Sequence, residues 1–230
     1  AKADYSSINL KDFVNGSSSK PGEMYDELLQ LTASIQDRFI KQLIESTLTD
    51  EMIKNQILIS PAAKTIHHAT IGGLLEHILS ICKLMEGLCL HYPFLNRDYL
   101  IFGAIFHDLG KVMELEVGVG IQYTDMGRLV GHMAICCQII DEKAGRILGF
   151  PAQLKNELKH IVLSHHGKLE YGSPKRPKFL EAMVVAMVDD LDSKINTMFG
   201  VLKSELDQSE KWSRYNQHFD RYLYLDILKR

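Results

Sequence analysis

Apolar residues recur at three- and four-residue steps through most of this chain, a period that suits helices and leaves little room for sheet. From Gly22 to Leu48 they stand at Met24, Leu28, Leu29, Leu31, Ile35, Phe39, Ile40, Leu43 and Ile44, the stripe of an amphipathic helix. Thr49-Asp50 before Glu51 offers a capped start for a short second helix toward Leu58, and Pro61 opens a loop reaching Thr70. The period resumes from Ile71 to Leu90, with Gly72-Gly73 marking a tight entry and Pro93 the stop. Asn96 or Asp98 can cap the next helix, which carries Leu100, Ile101, Ala104 and Ile105 up to His107-Asp108 and Gly110. Only Glu116 to Thr124, with Gly118 and Gly120 as turn residues, suits a hairpin. Helical pattern then fills Gly127 to Leu148, a segment through Leu158 to about Leu163, and Phe179 to Phe199, with a last polar helix over Ser204 to Leu228. The expected fold is all-α, a bundle of roughly eight helices with at most one small β-hairpin.

A length of 230 residues, 46% hydrophobic and 24% charged, suits one large domain with a short appendage. Residues 1–22, with an SSSKPG stretch, read as a linker or the remnant of an upstream domain. Residues 23–60 read as a helical lead-in packed on a central block at 61–203, and 204–230 as the C-terminal helix. No internal repeat stands out. Cys82, Cys89, Cys136 and Cys137 form no CxxC pair and read as reduced core thiols. No apolar run approaches the roughly 18 residues of a membrane span, and no signal peptide opens the chain, so a cytoplasmic protein without membrane partners is expected. A net charge of -3 argues against binding nucleic acid by bulk positive charge, while leaving room for a local basic site.

Ten histidines are out of proportion, and seven fall at 67, 68, 77, 107, 132, 165 and 166. His77 interrupts GGLLEH, His107-Asp108 end AIFHDLGK, His132 follows GRLVG, His165-His166 end LSHHG, and Asp189 sits in AMVDDLD. A lone ionisable group in such apolar surroundings is costly unless it is paired or holds a metal. Five interruptions on successive helices point to a shared centre. Imidazole and carboxylate without thiolate suit a catalytic divalent ion better than structural zinc. Adjacent His107 and Asp108 serve one site only if the helix end bends there or if the site holds two ions, which a bridging carboxylate would join.

The order H…HD…H…H…D is similar to that of the HD-domain metal-dependent phosphohydrolases. The blocks PAAKTIHHATIGGLLEHILS, LNRDYLIFGAIFHDLGKVMEL, QYTDMGRLVGH, LKHIVLSHHGKLEYGSPKRPKFLEAM and VDDLDSK resemble the YhaM-type 3'-5' exoribonucleases, in which an OB-fold domain precedes the HD domain. The resemblance covers about residues 60 to 200. It implies that 61–203 is an HD catalytic domain and that His77, His107, Asp108 and Asp189 form the basic metal set, with Asp108 as bridge. His132 and His165 would complete the shell of a second ion, and His166 is a ligand or a substrate contact. Lys111 is placed to meet a phosphate oxygen. His67 and His68 would touch substrate or protonate the leaving oxygen. Asp192 stands with the substrate-facing group and as the acceptor holding a ligand histidine, while Asp190 occupies a position where the family leads one to expect an amide.

After His165-His166, a loop brings Lys168, Lys175, Arg176 and Lys178 beside Tyr171, supplying phosphate contacts and a ring for stacking. The expected function is a phosphodiesterase with two divalent ions, Mn(II) before Fe, Mg or Co, that acts on single-stranded RNA from the 3' end and releases nucleoside 5'-monophosphates. Hydrolysis of a small nucleotide or cyclic dinucleotide is the alternative within enzymes; a non-catalytic, metal-stabilised nucleic-acid adaptor is the alternative outside them. Homo-oligomerisation stays open.

Overall fold

The computed structural model describes residues 20–63, 70–118, 120–205 and 210–228. Its helices are α1 (Pro21–Ala33), α2 (Arg38–Leu48), α3 (Glu51–Ile57), α4 (Gly73–His91), α5 (Arg97–Phe106), α6 (Lys111–Glu114), α7 (Asp125–Leu129), α8 (His132–Gly145), α9 (Ala152–Ser164) and α10 (Leu180–Ser204). The only sheet among the described residues is an antiparallel hairpin of β1 (Leu115–Val117) and β2 (Ile121–Tyr123), which pairs Glu116 with Gln122. The all-α expectation holds, and the hairpin falls where Gly118 and Gly120 placed it. None of the described helices is long and apolar enough to cross a membrane, and all four cysteines are free.

Where the apolar stripe suggests one helix from Gly22 to Leu48, the chain forms two. Asp37 ends the continuity by capping α2, its Oδ1 accepting from the amides of Phe39 at 2.8 Å and Ile40 at 2.9 Å. The exposed amides of that turn are held by Asp98, whose Oδ2 accepts from Gln36 at 3.0 Å and Asp37 at 2.7 Å. Asn96, not Asp98, therefore caps α5. The buried carboxylate of Asp98 instead ties the α1–α2 corner to the helix that leads into His107. Met24, Leu28, Ile40, Leu43 and Ile57 lie in one core with Leu74, Leu75, Phe102, Phe106 and Val185, so the lead-in helices share the hydrophobic centre of the bundle. Burial of these aliphatic and aromatic side chains is the main stabilising term.

Two further differences bear on the site. The helix expected over Gly127 to Leu148 breaks at Val130-Gly131, where Gly131 takes a left-handed φ of 79° and lets His132 begin α8. At the other end, α10 stops at Ser204, and residues 210–228 form no α-helix. They fold back as bridges pairing Trp212 with Tyr224 and Asn216 with Arg221, followed by a 3-10 turn at Asp226–Leu228. Two pairs of aromatic residues pack across this stretch, Trp212 on Tyr224 at 5.1 Å and Tyr215 on Tyr222 at 5.3 Å. Cross-strand ring pairs of this kind favour extended pairing over helix. Of the N-terminal linker at 1–22, residues 1–19 lie outside the described residues, and Pro21 and Gly22 already belong to α1.

Candidate metal centre

α4, the end of α5, the start of α8, the end of α9 and the middle of α10 converge on one buried pole of the bundle. His77 and His107 are fully buried there, and His165 and Asp108 are nearly so. α5 ends at Phe106, so His107 and Asp108 occupy a bend and both side chains reach the same centre. The bend packs tightly: a Cβ on Gly110 would lie 2.0 Å from the carbonyl oxygen of His132, so glycine alone allows the HDLG turn to meet the start of α8.

Ligand atoms fall into two groups. His77, His107, Asp108 and Asp189 form one, and His132, His165 and His166 the other, each group having its donor atoms within 4.8 Å of one another. His77 Nε2 lies 3.2 Å from His107 Nε2 and 3.2 Å from Asp189 Oδ1. Asp108 faces both groups with different oxygens. Its Oδ2 is 3.5 Å from His107 Nε2 and 3.8 Å from His77 Nε2, whereas its Oδ1 is 3.5 Å from His132 Nε2 and 3.7 Å from His165 Nε2.

Each histidine is fixed through its other nitrogen. Nδ1 of His77 donates to Asp192 Oδ2 at 2.8 Å, that of His107 to the carbonyls of Gly103 and Ala104 at 3.1 and 3.0 Å, and that of His132 to Glu114 Oε1 at 3.2 Å. His165 donates to the carbonyl of Val162 at 2.7 Å and His166 to that of Tyr171 at 2.9 Å. Holding Nδ1–H in this way sets the tautomer that turns the Nε2 lone pair inward, the arrangement of metal-binding imidazoles. The chain thus fits divalent ions by its donor set and by three buried atoms, Asp108 Oδ1, His132 Nε2 and His165 Nε2, that have no hydrogen-bond partner among the described residues.

The electrostatics differ between the two groups: the carboxylates around His77 favour positive charge there, a proton that a metal would have to displace, while the second group favours neutral imidazoles. Burial alone would push the Asp108 carboxyl up, but Lys111 and His107 hold it well below the ordinary carboxylate range. Burial likewise opposes protonation of His77, yet Asp189 and Asp192 draw its pKa up to about 9. His165 and His166 go the other way: burial drives both down and keeps their rings neutral, able to donate a lone pair.

The remaining residues singled out by sequence fall at different distances from this centre. Lys111 donates to Asp108 Oδ2 at 2.6 Å and to the carbonyl of Ala62 at 2.6 Å, so its ammonium is committed to the shared carboxylate. Asp192 is buried behind His77, as expected of the acceptor behind a ligand histidine, its other oxygen accepting from Ser80 Oγ, and it does not line the cavity over the centre. Asp190 pairs with Lys194 at 2.6 Å on the exposed face, leaving Asp189 as the inward carboxylate. His67 and His68 lie outside the described residues. A cavity of about 470 Å³ opens over the centre, lined by Asp108, Lys111, His165, His166, Asp189 and Tyr171 among others. Tyr171 joins it to a recess of about 440 Å³ that also holds Lys168 and Arg176. Lys175 lines neither; its backbone amide donates to the carbonyl of Leu163 at 3.1 Å.

Sequence reading missed Glu114, which is buried and accepts from both the amide and the ring of His132. Its signal was available, since a carboxylate in KVMEL interrupts an apolar run as the histidines do. It also missed His218, which lines the cavity from the C-terminal stretch.

The family model described as HD domain matches residues 74–194, which contain every residue of both groups. The chain belongs to the HD domain family. It is 38% identical over 191 residues to the 3'-5' exoribonuclease YhaM of Shouchella clausii (strain KSM-K16), covering 83% of this chain and 59% of that protein. It is 38% identical over 189 residues to the 3'-5' exoribonuclease YhaM of Geobacillus sp. (strain WCH70), covering 82% and 57%. The chain thus spans less than three fifths of the length of these relatives. No solved structure matches it significantly.

Proposed function

We propose that this HD domain is a two-metal phosphodiesterase that shortens single-stranded RNA from the 3' end and releases nucleoside 5'-monophosphates. The observation that carries the two-metal reading is the division of Asp108, one oxygen toward His77 and His107 and the other toward His132 and His165. The likeness to the YhaM exoribonucleases carries the choice of substrate.

In this reading His77, His107, Asp108 and Asp189 would hold one ion, and Asp108, His132 and His165 would hold the second, with His166 grouped beside them. Mn(II) suits the mixed imidazole and carboxylate donors best, ahead of Fe, Mg or Co. Bound there, the ions supply Lewis acidity toward a phosphodiester and lower the pKa of a water. The chain's own groups do the rest. Lys111 keeps the Asp108 carboxylate ionised and fixed in place. The tie from the Tyr171 carbonyl to His166 Nδ1 links the basic loop to the centre, so a strand lying along Lys168 and Arg176 is led to the cavity. Phosphates on these exposed cations position the chain without reading its sequence.

The test is incubation of the purified chain with Mn(II) and, in parallel, 5'-labelled RNA, single-stranded DNA, cyclic dinucleotides and nucleoside triphosphates. Progressive shortening of RNA with release of 5'-monophosphates is expected, together with loss of both metal and activity in Asp108→Ala. Turnover of a small nucleotide with every polymer left intact would overturn the exoribonuclease reading. RNA binding without any hydrolysis would make the chain an adaptor. Two equivalents of metal retained in Asp108→Ala would refute the bridge.

A further inference from the structure

The C-terminal stretch beyond α10 carries an imidazole to the metal cavity that the HD helices do not supply. We propose that His218 is a substrate-positioning residue whose ring forms the wall facing the 3'-terminal nucleotide, with Tyr171 as the second ring of that subsite. This rests on the exoribonuclease reading above and extends it to a residue outside the matched span, which ends at residue 194.

The hairpin that presents His218 is built rather than loose. Ser213 N donates to the carbonyl of Leu223 at 2.8 Å, Leu223 N to Ser213 Oγ at 2.8 Å, and Asn216 N to the carbonyl of Arg221 at 2.9 Å. Leu223, Leu225 and Ser213 are buried, which anchors its base. Arg214 N donates to Glu205 Oε2 at 2.9 Å, tying it to the end of α10. At the tip, Asn216 Oδ1 accepts from Phe219 N at 3.0 Å, Tyr215 OH donates to Asp220, and Asp220 takes a left-handed φ of 53°. A non-glycine residue in that region is uncommon and persists where its surroundings hold it. Phe219 packs edge-on against the imidazole at 5.0 Å. The result is a four-residue turn, 217–220, whose exposed His218 ring faces the cavity that Asp108, His165 and Asp189 floor.

The chemistry of that subsite fits one nucleotide. Its volume of about 470 Å³ is in the range of small-ligand pockets. Two exposed aromatic side chains, Tyr171 and His218, rise beside a centre that the proposed ions would make attractive to phosphate, and flat rings beside a phosphate site are what an unpaired base uses for stacking. A wall on this side also gives the cavity a reason to prefer a chain end, because a strand continuing past the metals in that direction would meet the hairpin.

The test compares His218→Ala and His218→Phe with the wild-type chain. With 5'-labelled oligoribonucleotides, His218→Ala is expected to raise KM on the order of ten-fold, within what loss of one base–aromatic stack produces, and to affect KM more than kcat. A proportionate weakening should show in fluorescence anisotropy with the same oligonucleotide in chelator, where no turnover occurs. His218→Phe keeps a flat ring without either nitrogen and should recover most of the binding. Two equivalents of metal in His218→Ala would exclude a collapsed centre as the cause. Equal KM and equal anisotropy for wild type and His218→Ala, with RNA still degraded, overturn this proposal alone. Failure of the wild type to degrade RNA overturns the exoribonuclease reading and this assignment with it.

Discussion

Asp192 is the most direct point at which to test how the centre is held. Asp192→Ala removes the carboxylate that lies 2.8 Å behind His77 Nδ1 and leaves every ligand atom in the chain. A hydrogen bond involving a charged group contributes about 1.5–3 kcal/mol. Loss of such a partner behind a ligand imidazole typically weakens metal binding about 10–100-fold, or roughly 1.4–2.8 kcal/mol. The two ranges overlap, so the dissociation constant of the ion held with His107 and Asp189 should rise by one to two orders of magnitude. The proposed second ion, whose imidazoles are held by Glu114 and the Val162 carbonyl, should be little changed. Asp192→Asn keeps the shape and an acceptor without the charge, and should fall between the two. Competition with a chromophoric chelator at fixed pH reads both sites. Melts in chelator show whether the fold survives, since Asp192 also accepts from Ser80. If Asp192→Ala binds both equivalents with wild-type affinity, the carboxylate does not orient His77, and packing alone sets that imidazole for the metal.

The ties behind His132 and His160 can be tested in the same way. Glu114→Gln loses the charge that accepts from the amide and ring of His132, and should lower metal stoichiometry toward one at limiting Mn(II), measured by elemental analysis after desalting; two retained equivalents would count against it. His160 accepts from Lys178 N at 3.0 Å, and burial, followed by Lys178 and Lys175, holds its pKa below the usual value of 6.5. Because the folded pKa is depressed, the stability it contributes is present above about pH 6.5 and is lost as pH falls through the folded value. Melts between pH 5 and 7.5 should therefore be less pH-dependent in His160→Gln than in wild type, and parallel curves would exclude the link.

The helices were legible because their apolar period survives almost everywhere, and the candidate metal residues because each ionisable side chain broke that period. His77, His107, Asp108, His132, His165 and Asp189 all come together for this reason. Legibility failed where a local signal was overridden. Asp37 and Asp98 cut a continuous stripe into α1 and α2 through hydrogen bonds to backbone amides, and Asp98 is about sixty residues away in sequence from the amides it holds. The polar, aromatic C-terminal stretch carries enough charge to resemble a solvated helix, yet its ring pairs and turn chemistry at Asn216 and Asp220 close a hairpin. Asp192 accepts from His77 Nδ1, as the reading of it as the acceptor behind a ligand histidine expects, whereas the linear sequence does not show that it lies away from the lining of the cavity.

The proposal of two ions rather than one is supported by which buried atoms lack a hydrogen-bond partner among the described residues. Around the first group, charge is already answered: Asp108 Oδ2 has the Lys111 ammonium at 2.6 Å, and Asp189 faces His77 at 3.2 Å. The second group differs. On its side lie three buried atoms with no hydrogen bond among the described residues, His132 Nε2 and His165 Nε2 standing 3.5 and 3.7 Å from Asp108 Oδ1. Leaving a buried polar atom unsatisfied costs about 1–3 kcal/mol each. A proton shared between Asp108 and one imidazole would answer only two of the three, and burial disfavours the charged form of His165. A divalent ion answers all three at once, and it is accepted by imidazoles whose outer nitrogens are already fixed by Glu114 and Val162. The side of Asp108 that the lysine does not reach is therefore the side that the proposed second ion would satisfy, and a single ion held with His77 and His107 would leave those three atoms without a partner.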